Sequence, residues 1–434
     1  MTDTAGREGR RAHGSSKGKV SLVVDDGRDD GKLFLAKIER EKGTEIPVVG
    51  EGGRAVCSST ATSGFAARKA LSLAALTKIF GDNRETERGT KIRFSSSAPL
   101  VPAMYVFGDS LVDVGNNNYL LFSPVKANFP HNGVDFPTKK PTGRFCNGKN
   151  AVDLLSEIVG LPASPPYLST IFKLKRSQKQ FLTGANFASG GSGIMNQTNK
   201  LFSLSLTKQV GRFVEVNKAL NKQLGVSRAN HHFSKSIFLI VTGSNDIFSY
   251  FGSDDLPNKS TPLQYVNLMS LTLKGQIKRL YNLGARKFVF VGVGVIGCIP
   301  SERNKNKGEQ CNEELNHWPV KYNEALKSML RNLKFELKGI NYSYFDGYAV
   351  MQNVIQKPSV YGFSEVKAAC CGLGKLKADI PCLPFSTYCS NRSSHLFWDR
   401  SHPTEAAHRI YVDHIFNGPL LYTFPVNLKK LIEI

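Results

Sequence analysis

The 434-residue chain has no apolar run approaching the ~20 residues that a membrane-spanning helix requires. Its longest, Phe288 to Ile299, is broken by Gly292, Gly294 and Gly297, so a soluble rather than a transmembrane protein is expected. Met1 does not lead into an apolar segment either, so no secretory signal is expected at the start of this sequence. Paired C-x-x-C spacings are missing, since Cys370 and Cys371 are adjacent and Cys382 and Cys389 stand apart, which argues against a metal site. Internal repeats are lacking. Acidic residues are few beside basic ones, 35 against 57, for a net charge of +22.

Positions 1–98 carry 18 basic and 13 acidic residues, leaving 39 against 22, or +17, on the remainder. A basic body suits anionic surroundings such as acidic polysaccharide or lipid head groups, beside the plainer reading of a solvated basic surface. Nucleic acid is not an expected partner, because the basic residues are dispersed and no nucleic-acid-binding motif occurs. Low hydrophobicity and mixed charge mark 1–98 as a disordered extension. Within it, Arg54 to Phe80 is acid-free and rich in Ser, Thr, Ala and Arg, like a transit peptide that starts too late. A missing or displaced signal exon is the preferred explanation, an intracellular form the alternative. Residues 99–425 then make one large domain, and 426–434 a tail.

Five apolar strand candidates lie near 103–107, 182–188, 237–242, 287–293 and 342–346, separated by stretches long enough for helices. That alternation predicts an α/β fold, a parallel sheet covered on both faces. Leu263 to Leu283 and Val320 to Leu337 read as amphipathic helices. Gly292-Val293-Gly294-Val295-Ile296-Gly297 satisfies the dinucleotide-binding pattern, but Pro300 follows where a helix would have to meet the pyrophosphate, so no nucleotide cofactor is expected.

Chemistry concentrates elsewhere. The run ending at Phe107 delivers Ser110 onto a Gly108-Asp109-Ser110 turn, at the carboxyl edge expected of the sheet. Far downstream, Asp399 stands three residues before His402, ahead of a helical pattern from Ala406 to Phe416 with Pro403 at its first position. A nucleophilic serine needs a base and an acid that orients the base, and Asp-x-x-His supplies both, although the pair could merely cap the helix. Gly184 to Gly193 and Thr242 to Asp246 each end a strand and offer backbone N–H groups and the Asn245 amide as oxyanion donors. Asp109 and Asp113 read as turn and scaffold residues.

With these four blocks in order, the chain resembles the plant GDSL esterase/lipase family of the SGNH hydrolase superfamily from about Val101 to about Gly418. Pro141-Thr142-Gly143-Arg144-Phe145, Leu280 to Lys287, Gly297-Cys298-Ile299-Pro300 and Cys370-Cys371-Gly372 look like the family too. The resemblance implies a three-layer, flavodoxin-like SGNH hydrolase fold, a serine esterase without cofactor, Ser110 as nucleophile, His402 as base and Asp399 as its orienting acid. It also implies Ser110, Gly190 and Asn245 as the oxyanion hole, with Gly190 preferred to Gly191 though sequence does not separate them. An acyltransferase would use the same residues, and a carbohydrate- or partner-binding protein on a retired scaffold is the non-catalytic alternative. Within residues 99–425 the G-x-S-x-G elbow of the α/β-hydrolases does not occur. Cys146 departs from the family, which more often carries Ser there, and is expected as a free thiol near the site. The cysteines at 298, 311, 370, 371, 382 and 389 suit three disulfides in any of fifteen connectivities, clamping the segment that carries Asp399 and His402. With sequons at Asn196, Asn258, Asn341 and Asn391 they point to secretion.

Overall fold

The computed structural model describes residues 98–171 and 178–434, with the backbone of five earlier strands, Ser21–Val24, Phe34–Glu39, Glu45–Glu51, Arg54–Cys57 and Ala70–Ser72. The chain divides into two compact units, Met1–Phe94 and Ser95–Ile434. In the first, the five strands pair antiparallel in chain order. The rest of the expected 1–98 extension lies outside the described residues.

The sheet of the second unit contains β1 Met104–Gly108, β2 Gly184–Asn186, β3 Ile237–Val241, β4 Lys287–Val291, β5 Asn341–Phe345 and β6 Thr423–Phe424. Their order is β6-β5-β4-β3-β1-β2. The first five are parallel, whereas β6 runs antiparallel on β5. The predicted five-strand sheet thus gains an edge strand, two residues long and too short to leave a periodic signal.

Among the described residues, the helices that flank this sheet and the site include α1 Ala151–Ile158, α2 Leu206–Leu224, α3 Val226–Lys235, α4 Ser244–Phe251, α5 Pro262–Asn282, α6 Glu313–Glu336, α7 Gly347–Gln356, α8 Glu405–Asn417 and α9 Leu428–Glu433. Strand side chains alternate between two cores. Tyr105, Phe107, Phe238 and Phe288 pack with α2, α3, α5 and α6; Val106, Leu239, Val289 and Phe345 pack with α1, α7, α8 and α9. Covering both faces is what lets each strand be apolar at every position, and each aromatic ring so buried stabilises the layers by about 2–3 kcal/mol.

Helix boundaries correct the sequence reading where capping decides. The Thr261 hydroxyl accepts the Gln264 N–H and Pro262 occupies the first turn, so α5 starts one residue before the expected Leu263. The Asn312 side chain accepts the Leu315 N–H, which starts α6 seven residues before Val320 and carries Pro319 inside the helix. Pro300 opens a short helix, Pro300–Lys305, after a 3-10 turn at Ile296–Cys298, rather than breaking one. The expected 426–434 tail is α9, whose Leu428 and Leu431 are buried in the domain core.

Because the strand order turns at β1, the carboxyl ends of β1 and β3 lie side by side with their connections leaving in opposite directions. Open α/β sheets bind ligands at such a switch point.

Candidate active site

Ser110 stands two residues beyond β1 on a turn that only glycine can enter. Gly108 has φ 151°, and a Cβ there would lie 2.1 Å from the Val241 carbonyl oxygen. Gln209 of α2 grips the same residue from the other side, accepting the Gly108 N–H and donating to its carbonyl, both at 2.8 Å. The Asp109 N–H donates to the Val241 carbonyl, and the Asp109 carboxylate accepts the Leu111 N–H at 3.0 Å. The turn is therefore pinned through its backbone, while the Ser110 N–H has no acceptor among the described residues.

The His402 ring meets this serine from a different element. Its Nε2 lies 2.8 Å from Ser110 Oγ, and its Nδ1 lies 2.8 and 2.9 Å from the two Asp399 oxygens. Asp399 also accepts the Ser401 and His402 N–H groups, which fixes the carboxylate before it reaches the ring. With Nδ1–H donated to Asp399, Nε2 is left to accept the serine proton. Burial disfavours the charged form of both groups, but their mutual attraction prevails, holding Asp399 below the ordinary carboxylate range and His402 above the ordinary imidazole range. Phe145 packs on the imidazole with ring centroids 5.0 Å apart.

The Asp399–His402 turn is held by backbone hydrogen bonds to a segment that cystines brace. Cys370–Cys389 and Cys371–Cys382 are disulfides, and with Trp398 they form a small buried cluster of their own. The Cys370 N–H donates to the Phe397 carbonyl and the Cys371 N–H to that of Trp398, while the Trp398 N–H donates to the His402 carbonyl. The indole N–H reaches Asn132 Oδ1 at 2.9 Å. Cys298–Cys311 completes three pairs, so all six predicted cysteines are bonded. Thr404, not the Asp399–His402 pair, caps α8 by accepting the Ala407 N–H, and Pro403 falls before the cap rather than at the first helical position.

Asn245 lies in the first turn of α4, where its Nδ2 donates one hydrogen to the Ser192 carbonyl at 3.0 Å and retains a second. Gly190, the expected donor, differs from Gly191 in its surroundings. Its N–H donates to Asp113 Oδ2 at 3.0 Å and is thereby spent, whereas Gly191 lines the cavity and its N–H has no acceptor among the described residues. Two buried carboxylates brace this glycine loop. Asp113 accepts the Gly115, Asn116 and Gly190 N–H groups, and Asp246 accepts those of Ile194 and Met195 and the Thr198 hydroxyl. Burial pushes both up to about 6, with the N–H groups pulling against it. Asp109, likewise buried but with fewer donors, is pushed up to about 7. It also borders the cavity, while its carboxylate holds the turn as expected.

Cys146 is a free thiol, as expected, but fully buried. Burial raises it above the ordinary thiol range, so it is not a nucleophile. Gln209 and Phe145 had no reading of their own in the sequence, because each acts on a residue distant along the chain. A cavity of about 330 Å³ opens beside Ser110, lined by Gly191, Asn245 and His402 at one end and by Val291, Phe345 and Ile415 farther in. Among the described residues no helix is long and apolar enough to cross a membrane.

The family model "GDSL-like Lipase/Acylhydrolase" matches residues 104–415. The GDSL esterase/lipase At5g55050 of Arabidopsis thaliana is 52% identical over 340 residues, 77% of this chain and 90% of that protein. The GDSL esterase/lipase At5g37690 of the same plant is 38% identical over 330 residues, 75% and 91% of the two chains.

Proposed function

Since this chain belongs to the GDSL-like lipase/acylhydrolase family and is a carboxylic ester hydrolase, we propose that it works through a Ser110-His402-Asp399 triad and an acyl-enzyme intermediate. The observation that carries this reading is the continuous chain of short contacts from Ser110 Oγ through both ring nitrogens of His402 to Asp399. His402 takes the Ser110 proton as Oγ attacks the ester carbonyl carbon, and Asp399 stabilises the imidazolium that results. The carbonyl oxygen, now carrying the negative charge, is met by the Ser110 and Gly191 N–H groups and the free Asn245 amide hydrogen. Collapse breaks the ester C–O bond and His402 returns the proton to the departing alkoxide. Water repeats the sequence, with His402 again the base, and releases the acid. An alcohol entering in place of water would make the same site an acyltransferase.

The partners we propose are acyl esters presented at a lipid or anionic cell-wall surface. Exposed Leu121 and Phe122 shortly precede Val125, and exposed Leu201 and Phe202 shortly follow Asn199, both Val125 and Asn199 lining the cavity. The three cystines favour a secreted protein, since such bonds persist in oxidising compartments. Ser110→Ala should fold normally and lose on the order of 10³-fold or more in turnover of p-nitrophenyl acetate, retaining only what binding and the oxyanion donors supply. Near-wild-type turnover by that variant would remove the assignment.

A further inference from the structure

The floor of the cavity is a single row of registered strand ends. Gly108 pairs with Val241, Val241 with Val291, and Val291 with Phe345. The row leads away from Ser110 across β3 and β4 to β5, three inter-strand steps or roughly 14 Å. Beyond the strands, Gly292 and Gly294 keep one wall thin: a Cβ at Gly292 would lie 2.3 Å from the Tyr344 hydroxyl, and one at Gly294 would lie 2.9 Å from Met351 Sδ. The glycine run that imitates a nucleotide motif is thus the side of an elongated apolar slot.

Helix α8 supplies the side opposite the floor. His408, Tyr411 and Ile415 follow at helical spacing on the face that lines the cavity. Tyr411 lies at the distal end, its ring centroid 6.4 Å from that of Phe345. An acyl slot needs no polar group there, yet the Tyr411 hydroxyl is buried and has no partner among the described residues. The His408 ring, only 3% of that residue being exposed, borders the same space. Burial, aided by the charge of His402, pushes His408 down to about 3, so it stands as a neutral imidazole with one donor and one acceptor. Buried polar groups left unpaired are costly, so the Tyr411 hydroxyl calls for a polar partner inside an otherwise apolar slot.

Resting on the hydrolase reading above, we infer that the cavity selects an acyl chain bearing a hydroxyl toward its far end, which bonds to the Tyr411 hydroxyl with His408 beside it. A plain chain would leave the Tyr411 hydroxyl unpaired, while the oxygenated chain gives it a hydrogen bond. One such bond is worth about fivefold or more in specificity.

The test compares p-nitrophenyl ω-hydroxydecanoate with p-nitrophenyl decanoate on the wild type and on Tyr411→Phe. The wild type should prefer the hydroxylated ester about fivefold or more in kcat/KM, and Tyr411→Phe should bring the ratio near one. Equal kcat/KM for the two esters in the wild type, or a preference that survives Tyr411→Phe, overturns the inference. p-Nitrophenyl acetate is too short to reach Tyr411 and reports on hydrolysis alone. Calorimetry of the two free acids with Ser110→Ala reads the slot without turnover. Tighter binding of the hydroxy acid supports the inference even if acetate is not cleaved, in which case only the hydrolase reading falls; equal binding overturns the inference even if acetate is cleaved.

Discussion

The two halves of the site are held in place by different physics. Ser110 sits on the end of a central strand, and its turn is gripped by a buried polar network in which Gln209 and the Val241 carbonyl satisfy the backbone of Gly108 and Asp109. Asp399 and His402 sit on a peripheral segment beyond the lysine-rich stretch near Lys375 and Lys377, hydrogen-bonded through Phe397 and Trp398 to the neighbouring segment that two cystines cross-link. Where the sheet passes directly beneath the functional residue, hydrogen bonds suffice. Where the central sheet does not reach, the dyad hydrogen-bonds to a neighbouring segment that covalent links brace.

The largest effect on the strand-borne half should come from Asn245→Ala, a fall of about 10²–10³ in kcat with little change in KM, because an oxyanion donor acts mainly in the transition state. Steady-state kinetics on a short ester decides it, and a change confined to KM would make Asn245 a ground-state contact. Next come two variants that remove support rather than chemistry. Gln209→Leu leaves the buried Gly108 N–H unpaired, while the Gly108 carbonyl keeps the Ser189 N–H, costing about 1–3 kcal/mol. The double variant Cys371→Ser with Cys382→Ser should cost about 2–4 kcal/mol. Urea unfolding gives both values, and mild reduction of the native enzyme should lower turnover while leaving the β1 turn intact. If reduction unfolds both halves together, the division between them is false.

The smallest effect is electrostatic. Burial holds Asp109 up at about 7, above its value in an unfolded chain, so it stabilises the fold at low pH and loses that contribution as pH rises from 3.8 through about 7. Asp399 works in the opposite sense: its depressed value gives stability above the ordinary carboxylate range that disappears as pH falls through its folded value. Asp109 also favours the protonated form of His402. Asp109→Asn should therefore shift the acid limb of the kcat/KM profile to lower pH and flatten the decline in stability between pH 3.8 and about 7. A profile that does not move would show that Asp109 is electrically remote from His402.

The strands were legible because a sheet buried on both faces produces apolar runs, and Ser110, Asp399 and His402 because each lies in a short local pattern. Legibility failed where a group's partner lies far along the chain. Gly190 and Gly191 are alike in sequence, and only the position of the Asp113 carboxylate shows which N–H is already taken. Gln209 is an ordinary helix glutamine until the fold brings it against Gly108, 101 residues away. Capping moved helix starts that periodicity alone put at apolar residues, as at α6, and the 426–434 segment was too short for its buried Leu428 and Leu431 to register as a packed face.

The central claim, that Ser110 is activated by His402 and Asp399, is tested most directly by covalent labelling with a fluorophosphonate followed by peptide mass mapping. The account predicts one adduct, on Ser110, formed rapidly by the native protein and far more slowly by His402→Ala. A native protein that hydrolyses esters yet carries no adduct on Ser110, or carries it on another residue, would contradict it.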